Sequence, residues 1–123
     1  MNLDKLQELP IIDWEDSTRL ACYKKDLARD MLNLLARDLP QELRTMNSLH
    51  TDKKYSELLK TVHKLHGAVC YTGTPRLKSL LSPLETALKT NIMDNSSTIL
   101  RHLEIEVGHL LKQLDAFNSQ QNL

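Results

Sequence analysis

Apolar residues recur along this chain at three- and four-residue steps, and no run of four or more alternates in the period of two that marks a strand beside turn residues. The pattern predicts helices alone. From Lys25, the residues Leu27, Met31, Leu34, Leu35, Leu39 and Leu43 draw one apolar stripe expected to face a core, with Pro40 kinking or splitting the helix. A second stripe, Tyr55, Leu58, Val62, Leu65 and Val69, follows the cap candidates Thr51 and Asp52 and ends near Gly73, the expected C-cap glycine. Thr74 then reads as an N-cap and Pro75 as the first helical residue, where the missing N–H costs nothing. Leu77, Leu80, Leu81, Leu84 and Leu88 extend that helix through Pro83, which lies one turn too deep to be free of cost.

After a polar turn over 90–94, Ile99, Leu103, Val107, Leu110, Leu114 and Phe117 define a last long helix, with 119–123 expected to fray. Ahead of the long helices, a short one over about 3–8 stops before Pro10, and Asp13 caps another over about 14–22. Short connections between long amphipathic helices imply antiparallel neighbours. The expected fold is therefore all-α: an antiparallel up-down four-helix bundle over about 25–118, with a short N-terminal helical extension over about 1–22.

Composition narrows the class. The 123 residues, 41% hydrophobic, suffice for one domain with one modest core. Lys plus Arg and Asp plus Glu both number 16, so the net charge is zero and nucleic acid is not an expected partner. The charge is uneven, however. Over 51–90, seven basic residues (Lys53, Lys54, Lys60, Lys64, Arg76, Lys78, Lys89) face three acidic ones (Asp52, Glu57, Glu85), giving +4. Cys22 and Cys70 have no metal or redox spacing and are expected to be reduced, Cys70 as a passive thiol. No apolar run approaches the roughly 18–20 residues a bilayer span needs, and the start lacks the features of a signal peptide. A soluble, cytoplasmic monomer without direct membrane contact is expected.

The chemistry concentrates at His63. One residue, or about 100°, from the core position Val62, its side chain should point to solvent. Gly67 lies at i+4 on the same face, and a glycine inside a helix costs roughly 1 kcal/mol relative to alanine. Its missing side chain opens room beside the imidazole for a phosphate and the loop that brings it, and Lys60, Lys64 and Lys89 are placed to add positive charge. A metal site built from His63, His66, His102 and His109 is disfavoured, because no cysteine or carboxylate joins them at ligand spacing. Arg101, Glu104 and Glu106 read as a solvated face.

These residues resemble a known family. The string His63-Lys64-Leu65-His66-Gly67, followed by Gly73 and Leu84-Glu85, is similar to the signature of histidine phosphotransfer (HPt) domains: His-x-Leu-Lys-Gly, a second glycine and a later Glu or Gln. More narrowly, residues 62–67, Tyr71, Gly73, Pro75, Arg76 and Ile12-Asp13-Trp14 resemble the C-terminal HPt domain of BarA/GacS-type hybrid sensor kinases, which follows a kinase core and a receiver domain. The resemblance implies a phosphocarrier of a bacterial two-component His-Asp phosphorelay. His63 would accept a phosphoryl group from a receiver-domain aspartate and pass it to a response regulator. Glu85 would accept the Nδ1 proton of His63, leaving Nε2 as the nucleophile. His66 departs from the usual lysine or glutamine. Mg²⁺ is expected on the partner receiver and no cofactor here; with no Gly-rich phosphate loop, neither ATP binding nor autokinase activity is expected of the isolated domain. Docking is expected around Leu59, Gly67, Cys70, Tyr71, Pro75 and Arg76. The alternative is a non-catalytic helical interaction module that binds receiver-like partners.

Overall fold

The computed structural model describes residues 3–121. A 3₁₀ turn over Leu3–Glu8 precedes five α-helices: α1 (Trp14–Leu20), α2 (Lys25–Thr51), α3 (Tyr55–Val69), α4 (Pro75–Thr90) and α5 (Ser96–Gln121). α2 and α4 each pack on both α3 and α5, which closes the four long helices into a bundle, while α1 lies on α2 and the 3₁₀ turn on α4. The core runs along the bundle axis through Leu32, Leu39, Met46, Leu58, Val62, Leu80, Leu84, Leu103 and Leu110, all but excluded from solvent. The all-helical bundle expected from the hydrophobic periodicity is the fold observed.

Of the stripe expected in α2, Leu35, Leu39 and Leu43 face the core, but Leu27, Met31 and Leu34 do not. Ala28, Leu32, Leu35, Ala36, Leu39, Leu43 and Met46 are buried, whereas Leu27 and Leu34 are 42% and 51% exposed and Met31 is half-buried. The buried set recurs at three- and four-residue steps and includes two alanines. Alanine is a weak apolar signal in sequence, so Ala28 and Ala36 mark the buried seam less strongly than Leu27, Met31 and Leu34 mark the row beside it. Neither Pro40 nor Pro83 divides its helix. Each removes one backbone donor, and core residues on either side, Leu39 and Leu43 in α2 and Leu81 and Leu84 in α4, hold the chain helical across it.

The helix ends show what short-range rules capture and miss. Asp13 caps α1 as expected, its Oδ1 accepting from the Asp16 N–H at 3.0 Å. α1 stops at Leu20, before Cys22, because Cys22 and Tyr23 both adopt left-handed backbone (φ 57° and 64°). Thr51 and Asp52 end α2 and do not cap α3, which begins after Lys54 without a side-chain cap. Thr74 holds the N-cap position of α4, with Pro75 first in the helix, but its hydroxyl pairs with Thr72 Oγ1 at 3.1 Å and not with the helix N-terminus. α5 stays helical through Gln121, so 119–121 are not frayed; the rest of the expected frayed tail lies outside the described residues.

Gly73 lies beyond the α3 C-cap, which is Cys70, and fixes the α3–α4 connection to the N-terminal segment. Its φ is +60°, and an added Cβ would fall 2.7 Å from both Asp13 O and Ser17 N. Its carbonyl accepts from the Asp13 N–H at 2.9 Å, and Ser17 Oγ donates to Thr72 O at 2.6 Å. Arg76 completes the attachment by donating to Leu9 O (2.8 Å) and Gln7 O (3.3 Å) while pairing with Glu106 at 3.3 Å. Glu106 is thus buried and paired, contrary to its expected place on a solvated face. Trp14 and Phe117, with ring centroids 4.3 Å apart, join α1 to the end of α5. Gly73→Ala meets both a disfavoured backbone region and a backbone clash, so it is expected to destabilise the fold by about 2–3 kcal/mol, read from denaturant midpoints.

Candidate functional site

Burial of Leu58, Val62, Leu65 and Val69 fixes the rotation of α3 about its axis. His63 is thereby turned outward, with 74% of its side chain exposed. On α4, burial of Leu77, Leu80, Leu81, Leu84 and Leu88 turns Glu85 toward α3, where only 8% of its side chain reaches solvent. Across this helix pair, His63 Nδ1 lies 2.5 Å from Glu85 Oε1. The other carboxylate oxygen, Oε2, is 2.6 Å from Nδ1 of His66, and Lys89 Nζ approaches Oε1 at 3.5 Å.

The Glu85 carboxyl is held down to about 2 by the hydrogen bond from His63, against the opposing effect of burial, with His66 and Lys89 adding to the depression. An ionised carboxylate has lone pairs only, so each imidazole must donate its Nδ1–H. For neutral His63 this leaves the lone pair on Nε2, at the exposed edge of a ring whose orientation is fixed. The arrangement is that of an activated nitrogen nucleophile: a nucleophile, an orienting group, and open space in front.

Gly67 lies one turn from His63 and is exposed, and a Cβ added there would meet nothing within 4 Å. Packing within this chain does not require that glycine. Gly108 on α5 is open in the same way, so it is the position beside His63 that distinguishes Gly67. Lys60 and Lys64 are exposed on α3 around His63. Lys89 is exposed too, but its ammonium is drawn toward Glu85.

Of the residues expected to dock partners, Leu59 and Cys70 are half-buried on the His63 side of α3, at i−4 and i+7 from it, Pro75 is half-buried at the start of α4, and Tyr71 is 61% exposed. Arg76 does not belong with them: only 14% of its side chain is exposed, and its guanidinium is committed to Glu106 and two backbone carbonyls. The imidazoles of His63 and His66 both turn Nδ1 to Glu85, and among the described residues no group of three or more His, Cys, Asp or Glu side chains is placed to hold a metal ion.

Two features escaped the reading of the sequence. One is the His66–Glu85 hydrogen bond. The other is an open groove of about 360 Å³ between α2 and α3, lined by Met31, Leu34, Asp38, Lys64, Ala68 and Tyr71 among others. Its signal was present in α2, which carries more apolar positions than one core face can hold.

A helical bundle that exposes the His63 imidazole, oriented by the buried carboxylate of Glu85, fits a class, a histidine-bearing transfer module. The chain belongs to the Hpt domain family, which it matches over residues 30–117. It is 36% identical over 104 residues to the signal transduction histidine-protein kinase BarA of Escherichia coli K12, covering 85% of this chain, and 37% identical over 81 residues to the sensor protein GacS of Pseudomonas syringae pv. syringae, covering 66%. It spans only 11% and 9% of the length of these two relatives. The crystal structure of the HPT domain from a Shewanella sensor hybrid histidine kinase superposes with a TM-score of 0.81 at 28% identity, over 89% of this chain and 95% of that one.

Two outcomes are expected. Because the Glu85 carboxyl sits at about 2, below its ordinary 4.5, its contribution to stability is complete above about pH 4.5 and is lost as pH falls from there toward 2. Over that range the wild type should lose roughly 2–3 kcal/mol more than Glu85→Gln in denaturant titrations. Gly67→Ala, in open space within a helix, should raise stability by about 0.5–1 kcal/mol in the same assay.

Proposed function

We propose that this chain is a phosphocarrier in a His-Asp phosphorelay and that His63 Nε2 is the atom that carries the group. One observation above the rest supports this: Glu85, ionised and buried, commits His63 Nδ1 as a donor and leaves Nε2 bare at the surface. In the forward step, Nε2 attacks the phosphorus of an aspartyl phosphate on a receiver domain. The N–P bond forms as the P–O bond to the aspartate breaks, and the aspartate leaves as a carboxylate. The Nδ1 proton stays in place, so the positive charge gained by the ring is met by Glu85. Passing the group to a response-regulator aspartate reverses these bond changes.

In-line phosphoryl transfer depends on positioning and charge stabilisation. The receiver would supply its aspartate, Mg²⁺ and a cation; this chain would supply an oriented nucleophile and the exposed Lys60 and Lys64. No cofactor, ATP or autokinase step is assigned to it. The groove between α2 and α3 is lined on α3 by Lys64, the residue after His63, and its exposed Leu34 and Tyr71 suit an apolar helix face of a receiver. Among the described residues no helix is long and apolar enough to cross a membrane. The proposal further assigns the chain to the cytoplasm, as a monomer and as part of a hybrid sensor kinase of the inner membrane. The second reading, a helical module that binds receiver-like partners without transfer, leaves the exposed Nε2 without a purpose.

The test is to mix the domain with a ³²P-labelled receiver and Mg²⁺. Wild type should take up acid-labile, base-stable label. His63→Gln should take up none, although His66 is intact, and should retain the wild-type helical spectrum. Failure of wild type to label with several receivers would favour the non-catalytic module.

A further inference from the structure

His66 lies one turn from His63 on α3 and, unlike it, is largely covered, with 22% of its side chain exposed. Both rings turn Nδ1 to the same carboxylate, one to each oxygen. A glutamate held through a single oxygen keeps freedom about its last torsion, which is broad and roughly two-fold. Donors on both oxygens, from two rings on one helix, remove that freedom by fixing the plane of the group. Lys89 makes the restraint matter, because its ammonium, at i+4 from Glu85 on α4, already approaches the oxygen that His63 uses. With Oε2 released, the carboxylate is free to turn toward that ammonium and away from His63.

We infer that His66 is a positioning residue for the phosphoryl acceptor: by donating its Nδ1–H to Glu85 Oε2, it keeps Oε1 aimed at His63 Nδ1 and so keeps the lone pair of the neutral His63 ring on Nε2. The inference rests on the proposed role of His63. It also explains how one of two similar rings is selected. When neutral, both carry Nδ1–H and a bare Nε2, so their tautomers do not distinguish them; exposure does, at 74% for His63 against 22% for His66.

The test reads the tautomer of His63 directly, by two-bond ¹H–¹⁵N correlation on ¹⁵N-labelled chain at about pH 8, above the ordinary imidazole range. Three proteins are compared: wild type, His66→Leu, which removes the donor, and His66→Asn, whose amide nitrogen occupies the place of Nδ1 along the side chain. Wild type should show His63 as the Nδ1–H form. His66→Leu should show a mixture of tautomers and about tenfold slower labelling from a phosphorylated receiver, the effect of losing one charge-assisted hydrogen bond. His66→Asn should restore both.

A folded His66→Leu protein that keeps the pure Nδ1–H form overturns the inference, as does failure of His66→Asn to restore it. Should His66→Leu not fold, His66→Ala is read by the same criteria. The two levels of argument fail differently: absence of label on wild type with the expected tautomers overturns the acceptor reading, whereas normal labelling with an unaltered tautomer in His66→Leu overturns the positioning role alone.

Discussion

The site depends on keeping one carboxylate ionised where little water reaches it. Burying a charge without partners is costly, and Glu85 is tolerated only because three donors from two helices meet its two oxygens. The same bonds that make the carboxylate affordable to the fold also set the tautomer of His63. Stability and chemistry are thus one set of contacts, and the α3–α4 pair cannot shift far without disturbing both.

What holds that pair in register lies at its far end. Gly73 makes the left-handed turn out of α3, and its carbonyl and that of Thr72 tie down the start of α1. Arg76 then binds the preceding segment by its carbonyls and α5 through Glu106. The N-terminal segment is therefore a brace across the connection that sets how α3 and α4 face each other.

Much of this was legible in the sequence. Helix count and type followed from periodicity, and the exposure of His63 followed from its offset from Val62. The pairing with Glu85 came from the resemblance and not from spacing, since nothing in a linear pattern says that positions 63 and 85 meet. Other features depend on the third dimension. On α2 the buried Leu35, Leu39 and Leu43 were legible, but Ala28 and Ala36 speak softly beside the outward Leu27 and Leu34. Arg76 and Glu106, 30 residues apart, look like surface charges until the fold brings them together. Thr51, Asp52 and Thr74 carry good capping side chains, yet two of them end the preceding helix and the third bonds within its loop.

The second apolar row of α2 bears on how long any complex lasts. Leu34 already hides about half its surface in the free protein, and Met31 is half-covered. Docking can gain only the remainder, on the order of 1 kcal/mol for each such side chain. A fully exposed leucine row would hold a partner harder but would also invite the free chain to aggregate. A half-sunken groove avoids both outcomes: a partner docked there would find footing but little area to hold it. In the proposed relay, rapid turnover between successive partners would then follow from the groove's depth.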